Sequence, residues 1–189
     1  EEAVFIDSIP IENWQLDRLR RAIGFVPQDG VLFSMSLREN IALGNPDATE
    51  AEISNVVKIS CLEQDIELLP NGLDTVVGER GVTLSGGQRQ RTAIARALLI
   101  KPKILLLDDA MSMIDAETSA KILERLHESF GQTTVFIAAH STSTLLTTDQ
   151  IYVLETGRLV EQGSPKDLLA IDGRFATSHQ RQILQQQLE

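Results

Sequence analysis

A run of aliphatic residues that ends on two acids carries the first chemical signal. Ile104–Leu107 leads directly into Asp108-Asp109, with Ala110 just beyond. Such a run fits a buried strand covered on both faces. Open α/β sheets bind their ligands at the carboxyl ends of strands, which is where both acids fall. A second signal lies upstream, in Leu84-Ser85-Gly86-Gly87-Gln88. It places glycines and backbone N–H groups at the start of a helix, where the dipole favours an anion such as phosphate. Gly-Gly alone reads as a turn that merely starts a helix. The Gln88-Arg89-Gln90-Arg91 run and the acid-ended strand after it argue for more than that. Nucleotide chemistry is the first expectation.

The elements that must position these residues are legible around them. Ala3–Asp7 and Ala22–Val26 read as short strands, separated by a polar segment with Trp14, Leu16 and Leu19 at helical spacing. Pro27-Gln28-Asp29-Gly30 then stops regular structure. Ser36 with Glu39, and Thr49 with Glu52, form capping-box signatures that open helices over Ser36–Leu43 and Thr49–Ile59. Roughly Ser34–Thr83 reads as a mostly helical insertion between sheet strands. Ala116–Phe130 is an amphipathic helix, with Ile122, Leu123, Leu126 and Phe130 on one side. Thr133–Ala139 is a β-branched strand ending at His140, and Gln150–Leu154 with Arg158–Glu161 form a hairpin through Glu155-Thr156-Gly157. Ser164–Ala170 is a short capped helix with proline in its first turn, and Gly173–Glu189 a peripheral helix or tail. The alternation predicts an α/β fold, a mainly parallel sheet with helices on both faces.

The totals bound the classes. The 189 residues suit one domain or a large piece of one, and 42% hydrophobic residues supply a core. A net charge of −10 argues against general binding to nucleic acid or an anionic membrane surface. One cysteine, Cys61, excludes an internal disulfide framework and suits a reducing compartment. It reads as a small buried helix residue. No apolar run approaches the roughly 18 residues of a membrane span, and no signal peptide is visible.

These motifs, in this order and at this spacing, resemble the nucleotide-binding domain of an ATP-binding cassette (ABC) transporter of the exporter subclass, over nearly the whole chain. The resemblance implies a P-loop NTPase-type sheet with a helical signature subdomain over about 34–101. It implies a core sheet from 1–33 and 102–172, with a terminal helix or tail over 173–189. Ser85, Gly86, Gly87 and Gln88 resemble the family signature, which closes over the γ-phosphate of ATP held by a partner domain in a head-to-tail dimer. Asp108 ends a Walker B-like strand and would hold Mg²⁺, often through water. Asp109 stands where active members usually carry the Glu that acts as general base. One methylene less predicts a weakened site, since about 1 Å of misplacement can cost about 10²-fold in rate. Gln28 matches the Q-loop glutamine, a contact to Mg²⁺ and water. His140 matches the switch histidine on the γ-phosphate, although Ser141-Thr142 replaces the usual Arg-Leu. Asp115 matches the D-loop acid that crosses the dimer interface. Glu79, within Thr75–Gly81, matches the X-loop acid facing the membrane domain.

One motif is missing. The sequence holds no G-x-x-x-x-G-K-[ST], which in the family precedes the segment resembling Ala3–Asp7. Together with a start at Glu1-Glu2, this predicts a truncated domain, inactive alone and weak for ATP. The expected cofactors are ATP and Mg²⁺. The expected partners are a second nucleotide-binding domain, in a heterodimer or a homodimer, and a transmembrane domain, with no nucleic acid. The expected location is the cytoplasmic face of a membrane, a bacterial inner membrane. The alternatives are a nucleotide-sensing regulatory module and a soluble ABC ATPase outside transport.

Overall fold

A computed structural model describes residues 4–78 and 81–187. The chain opens on a tight antiparallel hairpin, β1 (Phe5–Ile6) with β2 (Ile9–Pro10). Asp7 and Ser8 between them both have positive φ, 49° and 64°, the backbone that two-residue hairpin turns require. The sequence predicts one strand over Ala3–Asp7. The structure puts the turn at Asp7, because short polar side chains tolerate the left-handed conformation. Ala3 itself lies outside the described residues. Helix α1 (Leu16–Ala22) runs straight into β3 (Ile23–Val26).

Between β3 and the next strand of its sheet the described elements are helical: α2 (Leu37–Ala42), α3 (Glu50–Ile59), α4 (Glu63–Leu68) and α5 (Gly86–Leu99), with one 3₁₀ turn at Gly72–Asp74. Both expected capping boxes form, at Ser36/Glu39 and Thr49/Glu52. Glu52 also meets Lys101 at 2.6 Å. That ion pair, then the Thr49 N–H, lowers the Glu52 carboxyl to about 2. Cys61 departs from its expected place. It sits after α3 at φ 54°, half-buried in a turn rather than inside a helix.

Strand β4 (Ile104–Asp108), helix α6 (Ala116–Phe130) and strand β5 (Thr134–Ala138) complete a parallel sheet in the order β3-β4-β5. Register runs from Ile23↔Ile104 and Ile104↔Thr134 to Asp108↔Ala138. One face of this sheet is core: Val26, Leu105 and Leu107 are at most 2% exposed, in one cluster with Ile94 and Leu98 of α5 and Ile122 and Leu126 of α6. On the other face Ile104 and Leu106 are half-buried, beside exposed Phe25 and Phe136.

The half-buried Arg96 of α5 ties the helical segment together. Its Nε donates to Asn40 O at 2.8 Å and its Nη1 to Val31 O at 3.0 Å. Asn40, fully buried on α2, in turn bonds the backbone of Phe33. Burial pulls the Arg96 pKa down from its ordinary value.

The chain ends in a smaller unit: α7 (Thr142–Leu145), the antiparallel pair β6 (Ile151–Glu155) and β7 (Arg158–Gly163), α8 (Pro165–Ala170) and α9 (Arg174–Gln186). The expected hairpin turn forms at Thr156-Gly157, both at positive φ. Ile151, Leu168 and Phe175 make a second core cluster. The Glu161 carboxylate accepts the Arg174 and Phe175 N–H groups, so α9 is capped by a strand residue rather than by its own.

Candidate functional site

Strands β3, β4 and β5 deliver the expected residues to one edge of the sheet. Val26 pairs with Leu107 and Asp108 with Ala138, so Gln28, Asp108-Asp109 and His140 all leave the carboxyl ends of adjacent strands. Gln28 Nε2 donates to Asp109 Oδ2 at 3.3 Å. Asp109 adopts φ 48° while its N–H donates to Ala138 O at 2.8 Å. A non-glycine residue in this left-handed region is uncommon and concentrates at functional sites. Here it turns the chain sharply off β4, and Ser112 closes the turn by donating from both N and Oγ to Asp109 O. Gln28, Asp108 and His140 are exposed and Asp109 is half-buried. Among the described residues no three His, Cys, Asp or Glu side chains converge as a metal cage. A single exposed carboxylate such as Asp108 is the kind of ligand Mg²⁺ accepts when water and phosphate oxygens fill its other positions.

The start of α5 is built differently. Ser85 caps the helix, its Oγ accepting from Gln88 N while Gln88 Oε1 accepts from Ser85 N at 2.9 Å. Acting as acceptor in the cap leaves the Ser85 hydroxyl hydrogen free to donate outward. Gln88 has no such freedom, because its Nε2 is bound to Asp65 Oδ1 at 2.9 Å. Asp65 also holds Arg91 Nη1 at 2.7 Å, with both side chains largely buried. Gly86 and Gly87 have a reason the sequence does not reveal. A Cβ on Gly86 would lie 2.3 Å from Met113 Sδ, and one on Gly87 2.8 Å from Met113 O. They let α5 touch the loop after β4. Beside this contact opens a cleft of about 440 Å³ lined by Ser85, Gly86, Gly87, Arg91, Met113 and Asp115. Asp115 caps α6, accepting the Thr118 N–H at 2.8 Å, which holds its carboxyl below the usual range. Glu79 lies outside the described residues.

Gln90 joins the two groups and was not singled out by the sequence. It is 1% exposed. Its Nε2 donates to Gln28 O at 3.0 Å and its Oε1 accepts from Met113 N at 3.0 Å. Longer contacts reach Ser112 Oγ and Asp109 O. A polar residue on the buried face of α5, in line with Ala93 and Ala97, was the available signal. Asp65 and Arg91 were missed too, since their partners are far apart in sequence. Ser141-Thr142, the departure beside His140, also has a structural role. Thr142 is buried and its hydroxyl bonds Gln182 and His179 of α9.

Comparison with known proteins bears on the family and the fold. A family model described as "ABC transporter" matches residues 1–112. The ATP-dependent lipid A-core flippase of Chromohalobacter salexigens is 42% identical over 183 residues, covering 97% of this chain and 32% of that protein. Heavy metal tolerance factor 1 of Caenorhabditis elegans is 40% identical over 186 residues, covering 98% of this chain and 23% of that protein. The solved structure of a bacterial Atm1-family ABC exporter with ATP bound superposes at a TM-score of 0.91, with 44% identity, over 96% of this chain and 32% of that one. The chain thus spans about a quarter to a third of the length of these relatives, and its α/β fold, parallel sheet and helices match the exporter structure. The chain belongs to the ABC transporter family.

Proposed function

We propose that this chain is part of the ATPase domain of an ABC exporter, which binds ATP and Mg²⁺ and couples their use to movement of a transmembrane domain. The observation that carries the reading is the Gln28–Asp109 contact at the ends of β3 and β4. It joins a carboxylate that can take a proton to an amide that orients it, beside the exposed carboxylate of Asp108. In this reading Asp108 holds Mg²⁺, which would neutralise charge on the phosphates. Asp109, oriented by Gln28, takes the proton of the attacking water, and His140 donates to the terminal phosphate. The Ser85 hydroxyl and the N–H groups of Gly86 and Gly87 face a second domain's nucleotide, and the exposed Asp115 lines the same cleft. Gln88 contributes by fixing the cap. The helical segment over about 34–101 carries this surface, and Glu79 is assigned to the membrane-domain contact.

The chain spans about a third of its exporter relatives, so the transmembrane part is assigned to the rest of a full-length protein; no helix among the described residues is long and apolar enough to cross a membrane. The activity is accordingly proposed for the full-length protein, at the cytoplasmic face of a membrane such as a bacterial inner membrane. The transported substrate is not assigned. The intact Ser85–Gln88 run beside a shortened acid favours one half of a heterodimer, which completes its partner's site and hydrolyses slowly at its own. A homodimer with two slow sites is the second reading. Asp109→Glu in the full-length protein, assayed for ATP hydrolysis with and without a partner subunit, tests the weakened site. An increase of about 10²-fold is expected; an unchanged or lower rate counts against it.

A further inference from the structure

The segment carrying His140 is held from outside the sheet. Strand β5 ends at Ala138 and α7 begins at Thr142, so residues 139–141 belong to neither. Ser141 gives α7 no side-chain cap. Instead Gln182, on α9, spans the gap. Its Nε2 donates to His140 O at 2.7 Å, while its Oε1 accepts from Thr142 N and Thr142 Oγ1, both at 2.8 Å. With the Thr142 hydroxyl donating to Gln182, its oxygen accepts from His179 Nδ1, 2.9 Å away and one turn earlier on α9.

Helix α9 is anchored independently of this loop. Phe175 is 4% exposed in the cluster with Ile151 and Leu168, and its ring lies parallel to that of His179 at 6.4 Å. Glu161 caps the first turn. Phe175, His179 and Gln182 recur at helical spacing, so one face of α9 carries anchor and grip together. A long amide side chain bonded at both ends has few rotamers left, and so fixes the backbone it bridges.

We propose that Gln182 is a positioning residue for His140: it sets the backbone of the His140–Thr142 segment and thereby the reach of the imidazole toward the terminal phosphate. This rests on the ATPase reading above. It also makes α9 part of the nucleotide site's support.

The test uses the full-length protein. Gln182→Leu keeps volume and removes the three bonds that Gln182 makes to the segment, leaving the one from His179. It should lower kcat by about tenfold or more through misplacement of His140, with KM for ATP within about twofold, since a contact that matters mainly in the transition state changes kcat rather than KM. In a His140→Ala background, Gln182→Leu should cost nothing further, because both changes act through one group. Hydrogen exchange at the Thr142 amide should speed up about tenfold on loss of its acceptor. Gln182→Glu keeps an acceptor for Thr142 N but offers no donor to His140 O. It should preserve Thr142 protection with an intermediate kcat, and it decides the matter if the leucine variant fails to fold. An unchanged kcat in Gln182→Leu, an equal loss in the His140→Ala background, or a wild-type Thr142 amide that already exchanges freely would each overturn the proposal. Wild-type hydrolysis that is indifferent to His140→Ala would instead sink the ATPase reading, and with it the role assigned to Gln182.

Discussion

Replacing Gln90 by methionine isolates what one buried amide does for two loops. The side chains have similar length and volume, so packing on α5 is nearly conserved. What disappears is the pair of 3.0 Å bonds, from Nε2 to Gln28 O and from Met113 N to Oε1. The contacts to Ser112 Oγ and Asp109 O, at 3.4 and 3.5 Å, lie at the edge of hydrogen-bond range and are left out of the sum. Two bonds at about 1 kcal/mol each give about 2 kcal/mol, or about 30-fold in the opening equilibrium of the loops they tie. Hydrogen exchange of the full-length protein reads this directly. Peptides covering 27–31 and 109–114 should exchange about 30-fold faster in Gln90→Met, while peptides within α3 and α6 should not change. Gln90→Glu sharpens the test. It retains an acceptor for Met113 N but turns a carboxylate toward the Gln28 and Asp109 carbonyls at a position 1% exposed, so it should be worse than methionine. A glutamate variant as protected as wild type, or a methionine variant with unchanged exchange in both segments, would refute the assigned role.

Two further predictions follow from the contacts around α5. Gly87→Ala forces a Cβ against the Met113 carbonyl, whereas Gly86→Ala meets only side-chain atoms of Met113, the sulfur most closely, in a residue 58% exposed whose side chain is free to swing away. Gly87→Ala should therefore lose about 1–2 kcal/mol net of its helix-propensity gain and Gly86→Ala almost nothing; thermal midpoints in the opposite order would contradict the packing. The Glu52 carboxyl, held near 2 chiefly by Lys101 against an ordinary value of 4.5, adds stability that is present above about pH 4.5 and lost as the pH falls toward 2. The midpoint difference between wild type and Glu52→Gln should close within that window, and a difference constant from pH 7 to 2 would exclude this linkage.

Local chemistry was legible in the sequence and long-range contact was not. The Ser36/Glu39 and Thr49/Glu52 boxes formed because a capping box needs only residues three apart. The strand before Asp108 and the helix after Gly86 are likewise written in short periodic patterns. The β1–β2 turn escaped because Asp7-Ser8 is a weaker turn signal than a glycine pair. Gln28, Asp109 and His140 could be named singly, but the 3.3 Å contact between the first two depends on parallel register across 81 positions of sequence. Gln90, Asp65 and Gln182 were invisible for the same reason. Each is an ordinary polar residue until the partner's position is known. The glycines of Ser85–Gln88 were expected to admit a phosphate, and the structure adds a second demand on them, from Met113 within the same chain.

The support of Arg96 has a bearing on ionic strength. Arg38 pairs with the exposed carboxylates of Glu50 and Asp74, an attraction in contact with solvent that weakens as the salt concentration rises. Arg96 has no carboxylate partner among the described residues, and bonds only carbonyl oxygens of Val31 and Asn40 beneath the Phe33 ring. Its hold is that of a half-buried charge on dipoles at contact distance, which salt screens less. Raising the salt concentration should therefore loosen the rim of the helical segment while leaving its seam with α5 intact.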